Sequence, residues 1–73
     1  MDEIVFMSFV EEVLELTKES VNLSTNLNTL PQWDSMGKLS LIIEVSQKFN
    51  KKLTNDILKS FITIEDIFKF IKQ

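Results

Sequence analysis

Apolar residues in the first part of the chain recur at helical intervals. Phe6, Phe9, Val10, Val13 and Leu16 follow i, i+3, i+4, i+7 spacing, which predicts an amphipathic helix over residues 4–17. Glu11, Glu12 and Glu15 fall on the other side, and Asp2 and Glu3 at its start complement the helix dipole. The period then lapses. Between 19 and 33 Ser, Thr and Asn recur and Pro31 closes the stretch; such side chains bond to nearby backbone and compete with helix. Val21, Leu23, Leu27 and Leu30 are spaced through it, so the segment is read as a long loop lying across the bundle and pinned by those aliphatics. A loop of this length in so small a chain is uncommon and often functional.

Helical spacing resumes at 35–49. Asp34 is a suitable N-cap, and Leu41, Ile42, Val45 and Phe49 form the inward stripe with Leu39 beside it. Met36 and Ile43, two turns apart, project to one flank, and Gly37 stands early, where a helix tolerates it. A Lys-rich link over 50–54 leads to Asn55, read as the cap of a short third helix ending at Ser60. Thr63 opens the last helix with Asp66 three residues on, a capping-box-like pair, and Ile64, Ile67, Phe68 and Ile71 give the buried face. The fold predicted is all-α: a four-helix bundle with a short third helix and a long loop between helices 1 and 2, in a single domain over 1–73.

Composition narrows the chemistry. The 73 residues hold 44% apolar and 26% charged side chains with one Gly and one Pro, a globular balance able to build one small core. With neither Cys nor His, disulfides, Cys/His and Ser/His catalytic sets and the usual zinc sites are excluded. The net charge is −3 and every base is Lys; an acidic chain without Arg is a poor nucleic-acid binder. No apolar run reaches the ~18 residues of a membrane span, and the acidic first residues have the wrong sign for a signal peptide. The expectation is a soluble cytoplasmic monomer that is not an enzyme.

One segment stands out: Leu30-Pro31-Gln32-Trp33-Asp34-Ser35-Met36-Gly37. Asp-Ser is by itself an ordinary helix start. Ser35 nonetheless meets the free N–H groups and positive dipole end of helix 2, an environment suited to a phosphodiester-linked hydroxyl. In this register the segment resembles the modification site of acyl carrier proteins and peptidyl carrier domains, which place Asp-Ser-Leu or Asp-Ser-Met at the head of the second helix. Leu30, Pro31 and Trp33 resemble the Leu-Pro-x-Trp of a subset of stand-alone carriers. The similarity continues through Leu27, Leu41, Val45, Phe49, Leu53 and Phe61-Ile62-Thr63-Ile64, and so covers nearly the whole chain.

The resemblance implies that Ser35 carries 4′-phosphopantetheine, moved from coenzyme A by a phosphopantetheinyl transferase, and that an acyl or aminoacyl group rides on the arm as a thioester. It implies Asp34 bordering the arm and assisting the transferase's metal. Met36 and Ile43 would make apolar docking contacts, and Leu53 and Phe61 would border the acyl pocket, though Phe61 also reads as ordinary core. Partners would be the transferase and acyl-loading, acyl-transfer or condensing enzymes. The alternative is an unmodified helical interaction module that retains the carrier fold. One departure separates this chain from carriers of general fatty acid synthesis, whose second helix is strongly acidic. Residues 35–49 sum to +1, while residues 1–18 sum to −4. Docking is therefore expected to lean on apolar contacts and to respond weakly to salt. A specialised route fits: polyketide, nonribosomal peptide, D-alanyl transfer or surface-sugar acylation.

Overall fold

In the computed structural model, which describes residues 2–72, four α-helices are found among the described residues. They are α1 (Glu3–Val13), α2 (Ser35–Phe49), α3 (Asn55–Ser60) and α4 (Ile64–Lys72). The all-α bundle, its short third helix and its long α1–α2 connection are as the patterning predicts.

α1 starts where Asp2, extended at φ −90°, accepts a hydrogen bond from the Val5 N–H at 2.9 Å. It ends at Val13, four residues before the predicted boundary. There the Glu15 N–H donates to the Glu12 carbonyl and the Leu16 N–H to the Glu11 carbonyl, at 3.3 and 2.8 Å. This is a Schellman closure with Glu15 in the left-handed region, φ 55°. The reversal satisfies the last carbonyls of the helix and is secured when Glu11 Oε2 accepts from the Glu19 N–H at 2.8 Å. Leu14, outside the predicted stripe, is buried, whereas Val13 and Leu16 are only half-buried.

The connection to α2 is more structured than a loop pinned by side chains. Leu27–Thr29 form a 3₁₀ turn capped by the Asn26 side chain. Asn26 and Thr63 make an isolated antiparallel bridge. Around it Leu27 N–H donates to the Ile62 carbonyl at 2.8 Å, Ile64 N–H to Thr25 at 3.2 Å and Glu65 N–H to Leu23 at 3.0 Å. Leu27 is fully buried, while Val21, Leu23 and Leu30 are half-buried against the core.

The cap of α3 is Thr54, not Asn55: its Oγ1 accepts from the Ile57 N–H at 3.3 Å. A β-branched hydroxyl in extended backbone precedes the first turn, leaving Asn55 as its first residue. α4 opens as predicted, with Asp66 Oδ2 accepting from the Thr63 and Ile62 N–H groups at 3.0 and 2.8 Å. Those two bonds hold the Asp66 carboxyl below the ordinary aspartate value of 3.8. Aromatic pairs tie the layers together. Phe6 meets Phe68 of α4 at 4.7 Å between ring centres, and Phe9 meets Phe49 of α2 edge-on at 5.0 Å. The core between the helices is apolar, with no buried polar residue among the described ones.

Candidate functional site

The head of α2 is assembled by the segment before it. Trp33 N–H donates to the Leu30 carbonyl at 3.0 Å, closing a turn over Pro31 and Gln32. The indole is then buried at 9% exposure, which anchors the turn to the core. Asp34 follows in extended backbone, and its Oδ1 accepts the Gly37 N–H at 2.8 Å. Its carbonyl accepts the Lys38 N–H at 2.9 Å. A cap of this kind stabilises by about 1 kcal/mol.

Gly37 has a stricter role than tolerance near a helix start. A Cβ there would run into the carbonyl oxygen of Gln32, which crosses the first turn of α2. Only glycine lets the Pro31–Trp33 turn pack this closely. The Gln32 Oε1 is itself buried and has no hydrogen-bond partner among the described residues.

Ser35 is the first residue of α2 and is exposed. With the Gly37 and Lys38 N–H groups taken by Asp34, those of Ser35 and Met36 have no partner among the described residues. The exposed hydroxyl thus stands at a helix end with free donors and the positive end of the dipole. A cleft of about 320 Å³ opens from it toward α3, lined by Ser35, Lys38, Leu39, Ile42 and Asn55. The Lys38 ammonium lies 5.6 Å from the centre of the Trp33 ring, so the buried indole biases its position on the cleft wall. These parts suit an anionic phosphodiester on the hydroxyl: donors, a cation, and a channel with two aliphatic walls.

The other sequence-derived site residues divide. Met36 and Ile43 are exposed, at 79% and 44%. Leu39, placed beside the inward stripe on sequence grounds, faces outward at 56% exposure. The three form one outer row at i, i+3, i+7, a spacing that was present in the sequence and marks Leu39 as their companion. Leu53 and Phe61 are buried in the core, Phe61 with its ring 6.0 Å from that of Phe70. Neither lines the cleft at Ser35. Among the described residues no group of three or more Asp, Glu, His or Cys side chains could hold a metal ion. No helix among them is long and apolar enough to cross a membrane.

Comparison with known proteins gives two relatives of one kind. The chain is 28% identical over 65 residues to the acyl carrier protein of Phytoplasma mali (strain AT), spanning 89% of this chain and 77% of that protein. It is 30% identical over 60 residues to the acyl carrier protein of Phytoplasma australiense, spanning 82% and 79%. No family model and no solved structure matches it.

Proposed function

The chain belongs to the acyl carrier protein family, and from that premise we propose that it holds an acyl or aminoacyl group as a thioester on a 4′-phosphopantetheine arm attached to Ser35. It is a carrier rather than a catalyst, presenting its cargo to enzymes that load, transfer or condense it. The observation that carries this reading is Ser35 itself: an exposed hydroxyl opening α2 behind the Asp34 cap, in a chain related to acyl carriers over about four-fifths of its length. The arm supplies the thiol that a chain without cysteine lacks. The tether then keeps the cargo at high local concentration beside a docked partner.

The chain's own residues have distinct tasks in this reading. Asp34 fixes the first turn and borders the attachment atom, where its carboxylate would help the transferase position its metal. The Ser35 and Met36 N–H groups and the Lys38 ammonium offset the phosphodiester charge. Met36, Leu39 and Ile43 offer apolar contact to partners. Leu53 and Phe61 are buried in the core, and an aliphatic cargo that parts α2 from α3 would reach them in this reading. Because α2 itself carries Lys38 and Lys48 against one acid, Glu44, the carrier serves a specialised route rather than general fatty acid synthesis.

The test is intact mass after incubation with coenzyme A and a broad-specificity phosphopantetheinyl transferase. Wild type should gain one phosphopantetheine and Ser35→Ala none, though six other serines remain. Modification of the alanine variant would reject Ser35. An unmodified wild type would favour a helical interaction module that needs no thioester.

A further inference from the structure

Two clefts open at the head of α2, and they carry opposite charge. On the α3 side the cleft lined by Ser35, Lys38, Leu39, Ile42 and Asn55 holds one ammonium and no carboxylate. On the α1 side a cleft of about 210 Å³ reaches the same turn, where Glu15 and Asp34 line it with no base. Lys38 is also unusual among the eight lysines of the chain. Six are exposed, whereas Lys38 is half-buried, a trait it shares with Lys51 alone. No carboxylate pairs with Lys38 among the described residues. Its contact is the Trp33 ring, whose centre lies 5.6 Å from the ammonium. That ring is buried, and the Trp33 N–H is bonded to the Leu30 carbonyl, so the seat it offers is fixed. Without such a seat the flexible stem of a lysine would leave its ammonium in open water.

We propose that Trp33 is a positioning residue for the arm: its ring seats the Lys38 ammonium on the α3 side of Ser35, and that ammonium sets the side on which a phosphodiester leaves the helix. The proposal rests on the reading of Ser35 as the attachment site and adds a direction to it. Lys38 stands one turn after Ser35 on the same face of α2, within reach of a group on that hydroxyl. An ammonium with no counter-ion attracts the anion, while Asp34 and Glu15 repel it from the α1 side. The free N–H groups of Ser35 and Met36 point along the helix axis, so they hold an anion without choosing between the sides. Lys38 and the two carboxylates make that choice. A solvated lysine would make it weakly, because its charge is spread over many rotamers; the indole removes most of them. The ring covers one side of the ammonium and leaves N–H donors for the anion. The arm then starts toward Leu39, Ile42 and Asn55 and away from Val13 and Gln32.

The arm's own thiol supplies the probe, because the chain has no cysteine. The ¹⁵N-labelled holo protein, checked by intact mass, is given a thiol-linked nitroxide, and paramagnetic broadening of its amides is compared on the two sides of α2. Leu39, Ile42 and Asn55 report the α3 side, and Val13, Leu14 and Gln32 the α1 side. In wild type the broadening should favour the α3 side, and added salt should even it out. Trp33→Leu should lower the ratio of the two sides about two- to fivefold, the weight of one exposed cation–π contact. Lys38→Met should lower it at least as much, and Lys38→Arg should keep it. In a Lys38→Met background Trp33→Leu should have no further effect, since the indole acts through the ammonium. If the leucine variant does not fold, Trp33→Phe, which keeps a ring in the core, takes its place and should give an intermediate ratio. An even distribution in wild type, or a ratio unmoved by Lys38→Met, overturns the proposal and leaves Ser35 as the attachment site. A Trp33 effect of equal size with and without Lys38 also overturns it, because the indole would then act through shape. A wild type that gains no phosphopantetheine rejects the attachment site and the proposal with it.

Discussion

Gly37 and Glu15 are each the reverse of what local preference would choose. A glycine in the first turns of a helix is ordinarily improved by alanine, and the residue that closes a helix in the left-handed region is ordinarily glycine. In this chain the helix has the glycine and the closing turn has glutamate, at φ 55°. The two positions should therefore respond with opposite signs. Gly37→Ala should lower stability in spite of better helix propensity, because its Cβ must displace the Gln32 carbonyl. Glu15→Gly should raise stability by up to about 1 kcal/mol by removing the left-handed strain. Thermal melts of the two variants check this directly; a stabilised Gly37→Ala would mean that the Gln32 turn does not press on α2. Neither role could be read from its residue alone. Gly37 looked like a tolerated early glycine because the crossing carbonyl belongs to a separate turn, and Glu15 looked like one more helical acid because nothing near it signals a stop.

At the scale of elements, what was legible was what local sequence determines. α2 runs over 35–49 as its stripe predicts, since an Asp cap opens it and Asn50 in the left-handed region, φ 54°, closes it. The Thr63–Asp66 pairing was legible for the same reason. The corner that locks the α1–α2 connection was not, because it consists of backbone bonds between segments about 40 residues apart: Leu27 to Ile62, Ile64 to Thr25, Glu65 to Leu23. Such ladders leave no side-chain pattern. Asp66 is the side chain on which that corner turns, for its carboxylate takes both the Ile62 and Thr63 N–H groups. Its folded pKa is lowered, chiefly by those two bonds. The stabilisation is therefore complete above the ordinary value of 3.8 and is lost as pH falls through the lower folded value. Asp66→Asn should be less stable than wild type by about 1 kcal/mol at neutral pH, the scale of a helix cap. Urea melts of both proteins down an acid series should show the gap closing at low pH. A gap that stays constant would assign the effect to shape rather than charge.

For the whole molecule the decisive question is where the bundle would yield to a cargo. α1, α2 and α4 are joined by aromatic pairs in which a buried ring of α1 meets a half-buried one, Phe6 with Phe68 and Phe9 with Phe49. α3 has six residues and one buried side chain, Leu58, so it is the wall least firmly attached. The cleft at Ser35 already lies between α2 and Asn55, the first residue of α3, with Leu39 and Ile42 on its wall, and Leu53, Leu58 and Phe61 are buried in the core. An aliphatic chain on the arm that moved α3 outward would exchange water contact for those side chains, at about 0.8 kcal/mol per buried methylene. In a chain this short, 1 kcal/mol corresponds to a shift of roughly 4–8 °C in Tm. A series of acylated proteins from two to ten carbons should then behave in stages. The shortest groups should leave Tm at the holo value, because opening the wall offsets so little burial. Longer ones should raise it by several degrees, and the rise should stop once the chain outgrows the space between α2 and α3. Replacing Ile42 with Ser should flatten the rise without altering the melt of the apo protein by as much, since Ile42 is only half-buried there. A series with no dependence on length would place the cargo outside the bundle, as befits an aminoacyl or other polar group, and would remove Leu53 and Phe61 from the binding surface.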